Sequence, residues 1–345
     1  MTIRLFAGLV SLSLVAAVNA DLVALDDQQM QATSGAGLGF ALEDFVFNSD
    51  SASLSVTGVN DSEGNPVTVN WSELYIMGEG SESGTISTPA DIGSYLNPWV
   101  IRSVRGSADW DDSSTWHAGD YAAIGDDLGV LEFATSRYNS AYQDTRAYGT
   151  SCLMGAAAEC SDYAALRRPG IDIGSRFEMI LGNGRVDYLD FDFRGVYLDH
   201  SHIRLWSRED ENGLAELNAN AAIIFYAKEL DVGVCGTGCD PAISTLNIDD
   251  FYLDLNLGYG EIQTLQFSST SDGNFILELT KPNPAVLNVD TTDSDAMIAF
   301  YNEYYDNAPF SHISIGNIQS GADTVGGSII RGFRAQYFKI TSMDL

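Results

Sequence analysis

The sequence predicts an all-β fold: a mainly antiparallel, elongated sheet or sandwich with one short helix near the C-terminus. Three observations carry this. Leu189, Phe191 and Phe193 alternate with Asp190, Asp192 and Arg194, the period of two that a strand imposes on its faces. The alternation returns where Phe251, Leu253, Leu255 and Leu257 interleave with Tyr252, Asp254 and Asn256. Between such runs, Gly/Asn/Asp/Ser turns recur about every 8–12 residues, as in an all-β meander. Short runs around Gly195 would also suit the rungs of a β-solenoid, the alternative architecture. Tight turns such as Gly182-Asn183-Gly184 favour antiparallel hairpins instead.

Met1-Thr-Ile-Arg4 precedes an apolar run from Leu5 to Val18, closed by Asn19-Ala20. One positive charge, a short apolar core and small residues before the cut define a secretory signal peptide, residues 1–20. The run is shorter than the ~20 residues a bilayer-spanning helix needs, and no Cys follows the cut. The expected location is therefore exported: periplasm, cell surface or extracellular. Residues 21–345 are the expected mature, β-rich chain, and no transmembrane segment is expected after the leader is removed.

Leu25, Gln28, Gln29 and Ala32 suggest a short helix that stops at Ser34-Gly35. Gly35, Gly37 and Gly39 follow, but no strand precedes them and no Lys is at hand, so they read as a turn rather than a phosphate-binding loop. A first strand includes Phe45 and Phe47. Strands over 52–59 and 67–77 are joined across the turn residues 60–66, and 78–89 is a loop. Apolar patches at 99–101 and 121–124 punctuate Asp/Ser/Gly-rich sequence, and 130–133 is strand-like. The stretch from Cys152 to Pro169 has a different texture and divides the mature chain into candidate parts 21–150 and 171–345.

Strands are then expected over 172–181, through the run beginning at Arg185, and over 223–234, 251–257, 262–267 and 275–279. From Thr292 to Asn307 the spacing changes. Met297, Phe300, Tyr301 and Tyr304 fall three and four apart, marking the one amphipathic helix, with Ser294 or Thr292 as N-cap. Strand-like sequence over 311–318 and 328–341 ends the chain, the last stretch carrying Arg331, Arg334 and Lys339.

The four cysteines bracket two short loops, Cys152 to Cys160 and Cys235 to Cys239. Local disulfides suit an exported protein, whereas the spacings are not those of a zinc ribbon or finger. The chain holds 48 acids against 17 bases, a net charge of −31. Such a field disfavours nucleic acid and anionic lipid as partners.

No catalytic signature appears: no Gly-x-Ser-x-Gly elbow, no His-Glu-x-x-His and no P-loop. The expectation is no enzyme and no catalytic or cofactor-binding residue. His200 and His202 share one strand face, but no third metal ligand stands at a fitting spacing. Acidic turns at 109–112, 126–127 and 290–295 are the places a Ca²⁺ would bind, although none fits an EF-hand. Trp99, Trp110 and Trp116 would suit a carbohydrate-binding face or a core equally well.

The chain resembles exported gammaproteobacterial pilus-system proteins of the FilA type. The resemblance rests on Leu25-Asp-Asp-Gln-Gln-Met30 with Ser34-Gly35, Leu198 with Arg204-Leu-Trp206, the Cys235 to Cys239 loop, and the ending from Gly332 to Leu345. It implies a structural or adhesive role in the cell envelope or in a pilus or fibre, with other envelope proteins or further copies as partners. It carries over no catalytic residue. The class set against it is a carbohydrate- or Ca²⁺-dependent binding module, with a secreted hydrolase third.

Overall fold

The computed structural model describes residues 37–49, 52–61, 63–82, 87–93, 98–105, 124, 128–135, 170–198, 201–209, 215–236, 245–270 and 273–342. It is an all-β protein in which every strand pairing is antiparallel. That settles the solenoid alternative, because solenoid rungs stack in parallel. Among the described residues eighteen strands share one sheet, which does not close into a barrel, and two more form a small separate ladder.

The spine is β12 (Ala215–Gly236), a 22-residue strand, roughly 70 Å long at about 3.3 Å per residue. The strand expected over 223–234 thus extends further in both directions. Along one edge, its first part pairs with β11 (His202–Glu209) and its last part with β10 (Val186–Val196). Those two strands lie end to end along β12, and between them Tyr197 pairs with Tyr226 of the spine. The other edge is shared by β14 (Leu265–Ser269) and β13 (Thr245–Leu257). The run from Arg185 to Trp206 is therefore two strands, split where both reach the same neighbour.

Two branches leave the spine. Beyond β10 lie β9 (Ile171–Ile180), β5 (Pro66–Gly78), and β3 (Phe47–Asn48) with β4 (Ser53–Asn60). Beyond β11 lie β8 (Gly129–Ala134), β7 (Trp99–Arg105) and β1 (Gly37–Phe40). The small ladder pairs β2 (Leu42–Phe45) with β6 (Ala90–Ile92). Strands from before and after the cysteine-bracketed stretch thus belong to one sheet, and residues 35–345 group as one compact unit.

On the far side, β15 (Phe275–Leu279) and β20 (Phe338–Thr341) extend β14. Next to β13 come β16 (Ser311–Ile315), β17 (Asn317–Ser320), β18 (Asp323–Thr324) and β19 (Ser328–Phe333).

The helix, α1, spans Ser294–Asn307. Its N-cap is Asp293, which accepts from the amides of Asp295 and Ala296, rather than the expected Ser294 or Thr292. Phe300 and Tyr304 pack with Tyr259, Ile262 and Ala308 in a buried cluster, so the periodicity does mark the face that meets the sheet. Gln263 fastens this corner. Its amide nitrogen donates to the carbonyls of Thr280, Ala335 and Gln336, and its oxygen accepts from the Tyr304 hydroxyl at 2.7 Å. Burial pushes the Tyr304 phenol up to about 12.

Candidate functional site

The sheet has an acidic face and an apolar face, and their burial runs against expectation. Alternation leads one to place Asp190, Asp192 and Arg194 in solvent and Leu189, Phe191 and Phe193 in the core. Instead, the apolar side chains form open ladders. Leu54, Trp71, Phe177, Leu189 and Val234 stand directly opposite one another on five successive strands. Four of them are 60, 38, 38 and 59% exposed (Leu54, Trp71, Phe177 and Val234). The Trp71 and Phe177 rings stack at 5.6 Å and 7°. A second row runs Ile76, Ile173, Phe193, Leu230, Ile248 and Ile318. A sheet face is normally either solvated and polar or apolar and covered, and this one is apolar and left open.

The opposite face of the same branch holds the charges in a cleft of about 330 Å³. Tyr75, Gly174, Asp192, Asp231 and Asn247 form its row. Gly174 has a packing reason. A Cβ there would lie 2.0 Å from the Tyr75 ring, so only glycine lets the phenol cross to Asp192, to which it donates at 2.7 Å. Burial first, and then the Asp192 hydrogen bond and charge, push the Tyr75 phenol far above its ordinary range. Asp192 and Asp231 face each other across the ladder, a repulsive arrangement. Tyr75 answers the first, while the Asn247 amide donates to Asp231 at 2.6 Å and to Glu229 at 2.8 Å.

Arg176 closes the cleft. Its guanidinium donates to both oxygens of Asp190, at 2.6 and 3.1 Å, and to Glu73 at 2.6 Å. The Tyr188 ring stands 5.0 Å beneath it. The hydrogen bonds to Asp190 raise its pKa further. Glu73 reaches this position from a β-bulge, where its backbone is left-handed at φ 54°. Arg176 thus clamps two carboxylates across strands, and Tyr75 holds a third.

On the other branch Glu132 lies between two arginines, Arg102 at 2.6 Å and Arg204 at 2.8 Å. The Glu132 and Arg204 side chains are each 2% exposed.

The sequence-predicted candidates fall as follows. Cys152, Cys160, Cys239 and His200 lie outside the described residues, as do the acidic turns at 109–112 and 126–127, Trp110 and Trp116. Cys235 is buried near the end of β12, opposite Tyr188. His202 is buried within the sheet, opposite Ala134 and Ala222. In the remaining acidic turn, Asp290 accepts from Thr292 and Asp293 caps α1. Among the described residues no group of three or more His, Cys, Asp or Glu is arranged to hold a metal. Lys339 answers a carboxylate, Glu278, at 2.9 Å. Arg334 instead lies 3.6 Å over the Phe310 ring and donates to the Ala308 carbonyl.

The cleft has a consequence for pH dependence. Burial raises the pKa of Asp231 and of Asp172, the buried carboxylate that starts β9, above 3.8. A carboxyl whose pKa is higher folded than unfolded holds its proton more tightly when folded, so its stabilisation is full below 3.8 and is lost as pH rises through the folded value. Asp61 and Asp290, held low by hydrogen bonds from Asn65 and Thr292, work in the opposite sense but only below 3.8. Stability is therefore expected to increase as pH falls through the folded values of these two carboxyls towards 3.8. Urea unfolding midpoints at several pH values read this directly.

What the architecture defines is an open, branched antiparallel sheet with an exposed apolar face and internally paired charges. No protein-family model, curated protein or solved structure matches the chain. No described helix is long and apolar enough to cross a membrane.

Proposed function

We propose that this is an exported, non-catalytic protein of the cell envelope or of a pilus or fibre, working by association. In this reading the signal peptide delivers it, local disulfides at Cys152, Cys160, Cys235 and Cys239 pin two loops, and its partners are envelope or appendage proteins, further copies included. The supporting observation is the open ladder of Leu54, Trp71, Phe177 and Val234 on the outer branch. Stacked, half-exposed Trp and Phe rings are the side chains that dominate interface energies. Among the described residues the outer edges of β4, β1 and β20 pair with no further strand, and they add main-chain donors and acceptors for strand addition.

Sedimentation velocity on the mature chain over a range of concentrations tests this. Assembly is expected, and Trp71→Glu with Phe177→Glu should weaken it by on the order of 2 kcal/mol or more. A strict monomer at every concentration, found in cell fractions only as free periplasmic protein, would refute the proposal.

A further inference from the structure

The fork in the sheet creates a second feature, separate from the outer-branch ladder. Where β10 ends at Val196 and β11 begins at His202, the edge of β12 is left to the connecting chain. Beside this gap lies a cavity of about 400 Å³, walled by β1, β7, β8, β11 and β12. Phe40 and Trp99, with ring centroids 6.0 Å apart, form one side, and Phe133, Ile203 and Ile223 continue it.

Two hydroxyls of the wall are turned to the chain itself, and His202 is the one titratable side chain of the lining. The Thr135 hydroxyl donates to the Leu198 carbonyl and accepts from the Ser201 amide. The Ser201 hydroxyl donates to the Ile224 carbonyl and accepts from the Ile224 amide. What the cavity presents is carbon. Its volume is well above the ~150 Å³ of an apolar cavity that takes benzene, and within the ~300–1,000 Å³ of ligand pockets. A chain carrying a net charge of −31 repels anionic head groups, and no Lys or Arg lines the cavity.

We propose that this cavity binds one small uncharged aliphatic molecule, its alkyl chain lying along Trp99, Phe133 and Ile203. Selectivity follows from the same features. A carboxylate would find no Lys or Arg in the wall, so it would enter without a fixed countercharge. The mouth opens at Phe133 and Ile203, both about two-fifths exposed (39 and 42%), so ligand can enter without unfolding the sheet. The inference does not rest on self-association, since the cavity and the outer-branch ladder lie on different branches.

The test is displacement of the neutral fluorophore N-phenyl-1-naphthylamine from the mature protein. Expected is one site per chain, emptied by 1-decanol and at least roughly tenfold less well by decanoate at pH 8. Ile203→Trp fills the cavity with carbon and is expected to weaken decanol roughly tenfold or more, while Ile298→Trp on the exposed face of α1 leaves it unchanged. Circular dichroism and an unchanged unfolding midpoint establish that both variants fold. Equal displacement by decanol and decanoate, equal effects of the two Trp variants, or many weak sites per chain would each overturn the proposal. So would binding seen only with phospholipid vesicles, which would signify a membrane surface in place of a single ligand.

Discussion

Glu132→Gln is expected to destabilise the protein by about 3–5 kcal/mol, the scale of breaking a buried ion pair by removing one partner. Glu132 divides its two oxygens between Arg102 and Arg204, at 2.6 and 2.8 Å. Both the carboxylate and Arg204 are almost wholly buried. The three side chains sit on β7, β8 and β11, directly opposite in register: Arg102 faces Glu132, and Glu132 faces Arg204. Removing the central charge leaves two positive groups facing each other in a low-dielectric layer, where their repulsion is poorly screened.

The attraction in the triad does not make it a net source of stability, because burying three charges costs several kcal/mol per ion. A second variant separates these statements. Replacing all three together, Arg102→Met, Glu132→Leu and Arg204→Met, is expected to cost far less than Glu132→Gln alone. Urea unfolding with an unchanged slope measures both. If Glu132→Gln shifted stability by under about 1 kcal/mol, within the range of exposed pairs, the triad would not be the buried unit described.

Alternation at 186–196 and 251–257 revealed strands and which residues share a face, because the period of two follows from backbone geometry. It could not reveal which face is covered. Leu189 and Asp190 are written the same way whether the sheet buries its leucines or its carboxylates. The answer depends on partners distant in sequence: Arg176 and Glu73 for Asp190, Tyr75 for Asp192, and Asn247 for Asp231. The fork was hidden for a related reason. The run from Arg185 to Trp206 reads as continuous strand, and only the pairing of both halves with β12 splits it. By contrast α1 was legible almost to the residue, since a helix satisfies its hydrogen bonds locally and its apolar stripe faces one partner. Its cap was misplaced by one position because Thr292, Asp293 and Ser294 are all good caps in sequence. The aliphatic cavity left no local signature. Phe40, Trp99, Phe133 and Ile203 come from four strands, and only Trp99 stood out, as one of three tryptophans near acidic loops.

The second large effect is expected at Asp172, which holds the fork in place. Its carboxylate is 1% exposed and accepts three backbone amides: Gly80 at 2.7 Å, Ser81 at 3.0 Å and Gly195 at 2.8 Å. Gly195 is the residue at which β10 breaks its register with β9. Its φ is 59°, and a Cβ there would press on Lys228 of the spine at 3.0 Å. One side chain thus ties the turn after β5, the start of β9 and the left-handed residue that lets β10 give way to β11. Asp172→Ala leaves the buried amides of Ser81 and Gly195 without their acceptor, at about 1–3 kcal/mol each, so a loss on the order of 3 kcal/mol is expected. Asp172→Asn retains one oxygen for these donors and should lose roughly half as much. The Asn variant carries a further signature that a packing defect would not produce. Burial is the main reason this carboxyl titrates above 3.8, against the pull of its three amide donors. Removing its charge should therefore flatten the rise in stability on acidification towards pH 3.8, leaving the part that belongs to Asp231. Faster hydrogen exchange at Ser81 and Gly195 should accompany the loss. An Asp172→Ala protein within about 0.5 kcal/mol of the parent, with exchange at those amides unchanged, would show that the fork is held elsewhere.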